Sequence, residues 1–199
     1  MQKAFEYYKP HFKIILYIVV FIVCFGLAIL LLSQGSSRVI NLPFKGQPMA
    51  QISQAPSNGT HMDLMSASGL TTFQANQDIE LVVNADSNNI AVTGYDLLFL
   101  YDPASISVVK VTSTDPIFDV FTFNNTGYVS VTGTKKLSVN TPSIFAKSNI
   151  LSITVRAKKS GKTPVLIAPQ LGRERTKLVD DKAQIVAPQL GQALQLSIQ

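Results

Sequence analysis

Gly94-Tyr95-Asp96-Leu97-Leu98-Phe99-Leu100-Tyr101, closed by Asp102-Pro103, is the stretch from which the fold is read. In an extended strand successive side chains point to opposite sides, so Tyr95, Leu97, Phe99 and Tyr101 share one side and Asp96, Leu98 and Leu100 the other. Both sides therefore carry large apolar groups. If the first set is core, Leu98 and Leu100 form an apolar patch beside Asp96, the composition of a protein interface. In the alternative, a covering loop or neighbouring strand buries both sides.

The surrounding sequence repeats this style of segment. Short runs rich in β-branched and aromatic residues are separated by Gly, Pro, Asn, Asp and Ser, with no amphipathic helical stretch of convincing length. Candidate strands are Ile79 to Ala85, Gly94 to Tyr101, Ile106 to Thr112, Val120 to Phe123, Tyr128 to Thr134, Asn149 to Ala157, Pro164 to Ala168, Lys177 to Val179, Gln184 to Ala187 and Ala193 to Ile198. Many short strands at this spacing predict an all-β domain, a β-sandwich spanning residues 62–199. Alternation of Leu151, Ile153 and Val155 with Ile150, Ser152 and Thr154 puts one side of that strand into the core. The only cysteine, Cys24, lies outside this domain, so the sandwich is held without a disulfide.

Upstream, nineteen uncharged residues from Ile14 to Leu32 include fifteen Ile, Leu, Val or Phe. As a helix they would be about 28 Å long, close to the roughly 30 Å hydrocarbon core of a bilayer. The expectation is one N-terminal transmembrane α-helix over residues 14–32 that contacts membrane lipid. A cleaved secretory signal is the competing reading, but its apolar region runs only about 7 to 15 residues. Lys3, Lys9 and Lys13 against Glu6 keep residues 1–13 in the cytoplasm by the positive-inside bias and send the domain outside. Between them, residues 33–61 lose periodicity and gain Ser, Gln, Gly and Pro, which predicts a flexible linker.

The net charge of +5 does not mark a nucleic-acid binder, because from Met62 onward twelve Lys and Arg meet eleven Asp and Glu. Lys158-Lys159-Ser160-Gly161-Lys162 reads as a solvated hairpin tip. Outside the apolar run and the tail the chain offers a single histidine, His61, and no cysteine, which removes triads and zinc sites. The domain is therefore expected to be no enzyme and to need no cofactor. Asp86 with Asn88 and Asn89, and Asp180 with Asp181, are oxygen-rich segments that suit either Ca²⁺ or simple turns. A polysaccharide platform would draw on Tyr95, Tyr101 and Tyr128, since tryptophan is absent. Ala168-Pro169-Gln170-Leu171-Gly172 recurs as Ala187-Pro188-Gln189-Leu190-Gly191, read as two strands ending in similar turns.

Gly94 to Pro103 followed by Ile106-Ser107-Val108-Val109-Lys110-Val111 resembles the third and fourth strands of a cohesin module, the Tyr101-Asp102-Pro103 turn being the recognisable piece. Gly127 to Val131 and Asn149 to Ala157, with Gly161-Lys162-Thr163 after it, fall in the family's order. The resemblance covers most of Ile79 to Ala187. It implies a jelly-roll-like sandwich that binds a dockerin, a small calcium-loaded module on another protein, through one sheet face. It also implies that Asp96, with Leu98 and Leu100 beside it, lies on the docking face. The expected function is a membrane-anchored, non-catalytic docking module at the cell surface; a carbohydrate-binding or structural sandwich is the alternative.

Overall fold

The computed structural model describes residues 59–199. The expected cytoplasmic tail, the transmembrane helix and all of the linker before Gly59 lie outside the described residues. Among the described residues no helix is long and apolar enough to cross a membrane.

In chain order the strands are β1 (His61–Ser66), β2 (Thr72–Phe73), β3 (Asp78–Asp86), β4 (Val92–Leu100), β5 (Ile106–Ser113), β6 (Phe118–Asn125), β7 (Tyr128–Lys135) and β8 (Ser148–Ala157). There follow β9 (Gly161–Ala168), β10 (Gln170–Leu171), β11 (Glu174–Arg175), β12 (Lys177–Asp180), β13 (Ile185–Val186), β14 (Gln189–Leu190) and β15 (Leu194–Ile198). One sheet has the order β14-β1-β3-β8-β5. In the larger sheet β6, β7 and β4 follow one another, and the far edge of β4 is shared. Its first half pairs with β12 and its last three residues with β9, which continues to β15 and β2.

Every strand expected from the sequence is present with slightly moved ends. β1 is the main addition, and it draws His61 out of the expected linker. Its Met62 and Leu64 are buried while His61 and Asp63 are only partly so, a two-residue alternation carried by Met and Leu rather than by β-branched residues. The two copies of the Ala-Pro-Gln-Leu-Gly repeat do not play one role. Gln170 and Leu171 open the β10–β11 hairpin, whereas Gln189 and Leu190 lie parallel to β1.

Facing apolar rows of the two sheets form the core, among them Leu81, Val83, Leu97, Phe99, Val129, Val131, Ile153 and Val155. Ile150 is buried although its alternation partners Ser152 and Thr154 face the other way. The register of β3 against β8 shifts from Val83↔Leu151 to Asn84↔Asn149, so Ile150 is the extra residue of a bulge that turns it inward. At one end of the core Tyr95, Phe118 and Phe145 pack ring against ring at centroid distances of 5.5 to 6.2 Å. Burial, with a smaller contribution from Asp115, pushes the Tyr95 phenol above its ordinary value of 10.0. A folded-state value above the unfolded one means stability fully present below pH 10 and lost as pH rises beyond it. Tyr95→Phe is expected to lessen that loss in urea titrations repeated across the alkaline range.

The switch of β4 from β12 to β9 is held by Thr176. Its buried hydroxyl accepts a hydrogen bond from the Leu98 amide at 3.1 Å and donates to the Ala168 carbonyl. Thr176→Val keeps the shape but leaves both backbone groups without this partner, and is expected to lower unfolding free energy by about 1–3 kcal/mol in denaturant titrations.

The lysine-rich tip corrects its sequence reading. β8 belongs to the smaller sheet and β9 to the larger, so Lys158 to Ser160 cross between sheets and form no hairpin. Lys158 is tied down there, its Nζ donating to the Pro103 carbonyl at 3.1 Å.

Candidate functional site

The outer faces of the two sheets differ in chemistry. On the smaller sheet the outer face carries internally paired polar side chains, with Met65 on β1 and Val109 on β5 also exposed. Ser152 Oγ donates to Glu80 Oε1 at 2.7 Å, and Arg156 grips Asp78 through Nε and Nη2 at 2.7 and 3.0 Å. That pairing holds the exposed Asp78 carboxyl below its usual range and raises the Arg156 guanidinium.

On the larger sheet, Phe121, Thr132, Asp96 and Lys177 lie side by side in register across β6, β7, β4 and β12. Phe123 and Ser130 precede Leu98 in the next row. Phe121 is 63%, Phe123 73% and Ile185 68% exposed, which is unusual for side chains of this size on a regular sheet. They flank Asp96, whose carboxylate accepts a hydrogen bond from Thr132 Oγ1 at 2.7 Å and pairs with Lys177 Nζ at 3.1 Å. The β10–β11 hairpin completes the wall with Arg173, Glu174 and Arg175, enclosing a shallow groove of about 560 Å³.

Asp96 is partly accessible on the outer face of the larger sheet. Leu98 and Leu100 are not. They are 1% and 7% exposed, so no apolar patch forms from them, and the alternative in which a second segment covers β4 is the one realised. β11 packs against β4, and Glu174 comes near Tyr128, the residue opposite Leu100. Burial, then the Glu174 charge, raises the Tyr128 phenol. The apolar element beside Asp96 comes instead from Phe121 and Phe123. Their signal was present in the sequence, since positions 121 and 123 share one side of a strand.

The polysaccharide reading loses two of its three tyrosines, because Tyr95 and Tyr101 are 1% and 8% exposed. The oxygen-rich segments close turns. Asp86 Oδ1 accepts the Asn88 amide, and Asp180 Oδ1 accepts those of Lys182 and Gln184. Among the described residues no three His, Cys, Asp or Glu side chains gather as a metal site would require. His61 Nε2 lies 2.6 Å from Asp63 Oδ2, and neither residue lines the groove.

Two sheets packed face to face, the larger bearing exposed aromatics around a charge pair, make a β-sandwich. Its fold is cohesin-like. The chain is similar to the cohesin module of a family 33 glycoside hydrolase from Clostridium perfringens, with a TM-score of 0.60 at 12% identity over 72% of this chain and 98% of that one. A type II cohesin domain from the cellulosome of Acetivibrio cellulolyticus matches with a TM-score of 0.56 at 13% identity, covering 71% and 95%. The OlpA cohesin of Clostridium thermocellum, solved in a type I cohesin–dockerin complex, matches with a TM-score of 0.52 at 15% identity, covering 70% and 99%. No protein-family model and no curated protein matches the chain.

Proposed function

We propose that the domain is a non-catalytic docking module that binds a dockerin-like protein through the outer face of its larger sheet, held at a membrane by residues 14–32 with the domain on the outer side. The observation that carries this is the exposed Phe121, Phe123 and Ile185 around the Asp96–Lys177 pair, on a fold whose similar structures include cohesin–dockerin complexes. Exposed aromatics supply the desolvation that drives protein association, and the charge pair between them supplies orientation. The membrane part is supported by the uncharged run Ile14 to Leu32 and the basic tail before it. The non-catalytic reading is supported by the scarcity of histidine and cysteine, His61 being the only one of either among residues 59–199.

The test uses the full chain, detergent-solubilised and immobilised, as bait for the organism's own secreted and surface proteins. Asp96→Lys places a second positive charge against Lys177 and is expected to reduce capture at least about tenfold without altering the circular dichroism spectrum. Retention of a polysaccharide with no captured protein overturns the proposal.

A further inference from the structure

The ends of the two sheets are not equally protected. The smaller sheet ends in β14, two residues long, and in β5, which carries Lys110 and a break in register at Val109. Across the larger sheet, β2 and β13 are also two residues long. Short strands, bulges and edge lysines are the devices that stop a sheet edge from pairing with another chain. β6 has none of them. All eight of its residues pair with β7 in unbroken register, and among the described residues no backbone hydrogen bond reaches positions 119–124 from any other element. Phe121 to Asn124 are exposed in succession, so both faces of this half of the strand as well as its edge are open, while Phe118 is buried and Val120 packs against the core.

We infer that β6 pairs edge to edge with β6 of a second copy of this chain, antiparallel about a two-fold axis through Thr122. The strand is complementary to itself in this register. Phe121 stands opposite the second copy's Phe123 and the reverse, gathering four aromatic rings on one face. Asp119, the only charge on β6, falls opposite Asn125 and meets no like charge. Centring the pair on Phe121 instead would set Asp119 against Phe123. Such an isologous contact joins the two larger sheets into one and sets two candidate docking faces side by side on a common surface. The module becomes a two-site receptor, and a partner carrying two docking segments would be retained more strongly than one carrying a single segment.

Because Cys24 is the only cysteine, the full chain with Cys24→Ser and Thr122→Cys reports the register directly. Residues opposite each other in an antiparallel pair have Cα atoms about 4.5 to 5.5 Å apart, within disulfide reach. Under mild oxidation in detergent this chain is expected to form a disulfide dimer at least tenfold faster than the same chain with Lys110→Cys on β5. Equal or slower cross-linking overturns the inference. A second measurement covers the cysteine-free edge. Thr122→Lys sets two ammonium groups against each other and is expected to weaken self-association at least tenfold in sedimentation velocity, with Asp96→Lys leaving it unchanged. A wild-type chain that stays monomeric at every concentration, or a Thr122→Lys chain that associates equally well, contradicts it.

Discussion

Replacing Phe121 and Phe123 together by alanine is expected to weaken partner capture at least about a hundredfold while the domain stays folded. The two rings are 63% and 73% exposed, so their removal opens no cavity and takes little from the core. Large exposed aromatics become hot spots when a partner covers them, each contributing up to about 2 kcal/mol or more, and a loss of roughly 3 kcal/mol from the pair is about a hundredfold in affinity. Titration of the captured partner against wild-type and doubly substituted full chain checks this, with urea midpoints confirming that stability moves by less than about 1 kcal/mol. The same substitution strips the aromatic cluster from the β6 edge, so capture is best compared at concentrations where both chains are monomeric.

Gly133→Ala is expected to destabilise the fold by about 3 kcal/mol, a large effect for a single methyl group. A Cβ at Gly133 would lie 2.2 Å from Cζ of Tyr95 and 2.3 to 2.7 Å from two further ring carbons. The ring cannot swing clear, because it is 1% exposed and packs against Phe118 and Phe145. The backbone must move instead, in a central pair of strands, which places the effect at the upper end of ordinary overpacking. A double-mutant cycle in urea tests the cause. Tyr95→Leu removes the obstructing ring atoms, so Gly133→Ala is expected to cost much less in that background. An undiminished effect in the Tyr95→Leu chain would place the strain elsewhere than in the ring contact.

The strands were legible because their apolar residues alternate or cluster between strong turn signals. Gly94 to Tyr101 and Asn149 to Ala157 needed no knowledge of the rest of the chain. β1 was hidden because Met62 and Leu64 lack the branched side chains that mark strands, and β2, β10, β11 and β14 are two-residue pairings fixed by tertiary neighbours. The site was half legible. Asp96 could be placed on a face from the pleat, but whether Leu98 and Leu100 stayed exposed depended on where residues 170–175 would lie, which no local pattern encodes. The Lys158 to Lys162 tip misled for a related reason. Turn chemistry specifies a reversal of the chain, not whether the next strand rejoins the same sheet.

Site-specific photo-cross-linking bears most directly on the claim that the larger sheet's outer face docks a protein. A photoreactive phenylalanine analogue at Phe123 in the full chain, illuminated with the organism's surface proteins present, is expected to form one dominant adduct with a surface protein, distinct in mass from an adduct with a second copy of the chain, that Asp96→Lys abolishes. The same analogue at Glu80, on the outer face of the smaller sheet, is expected to form none. An adduct from Glu80 with none from Phe123 would contradict the account.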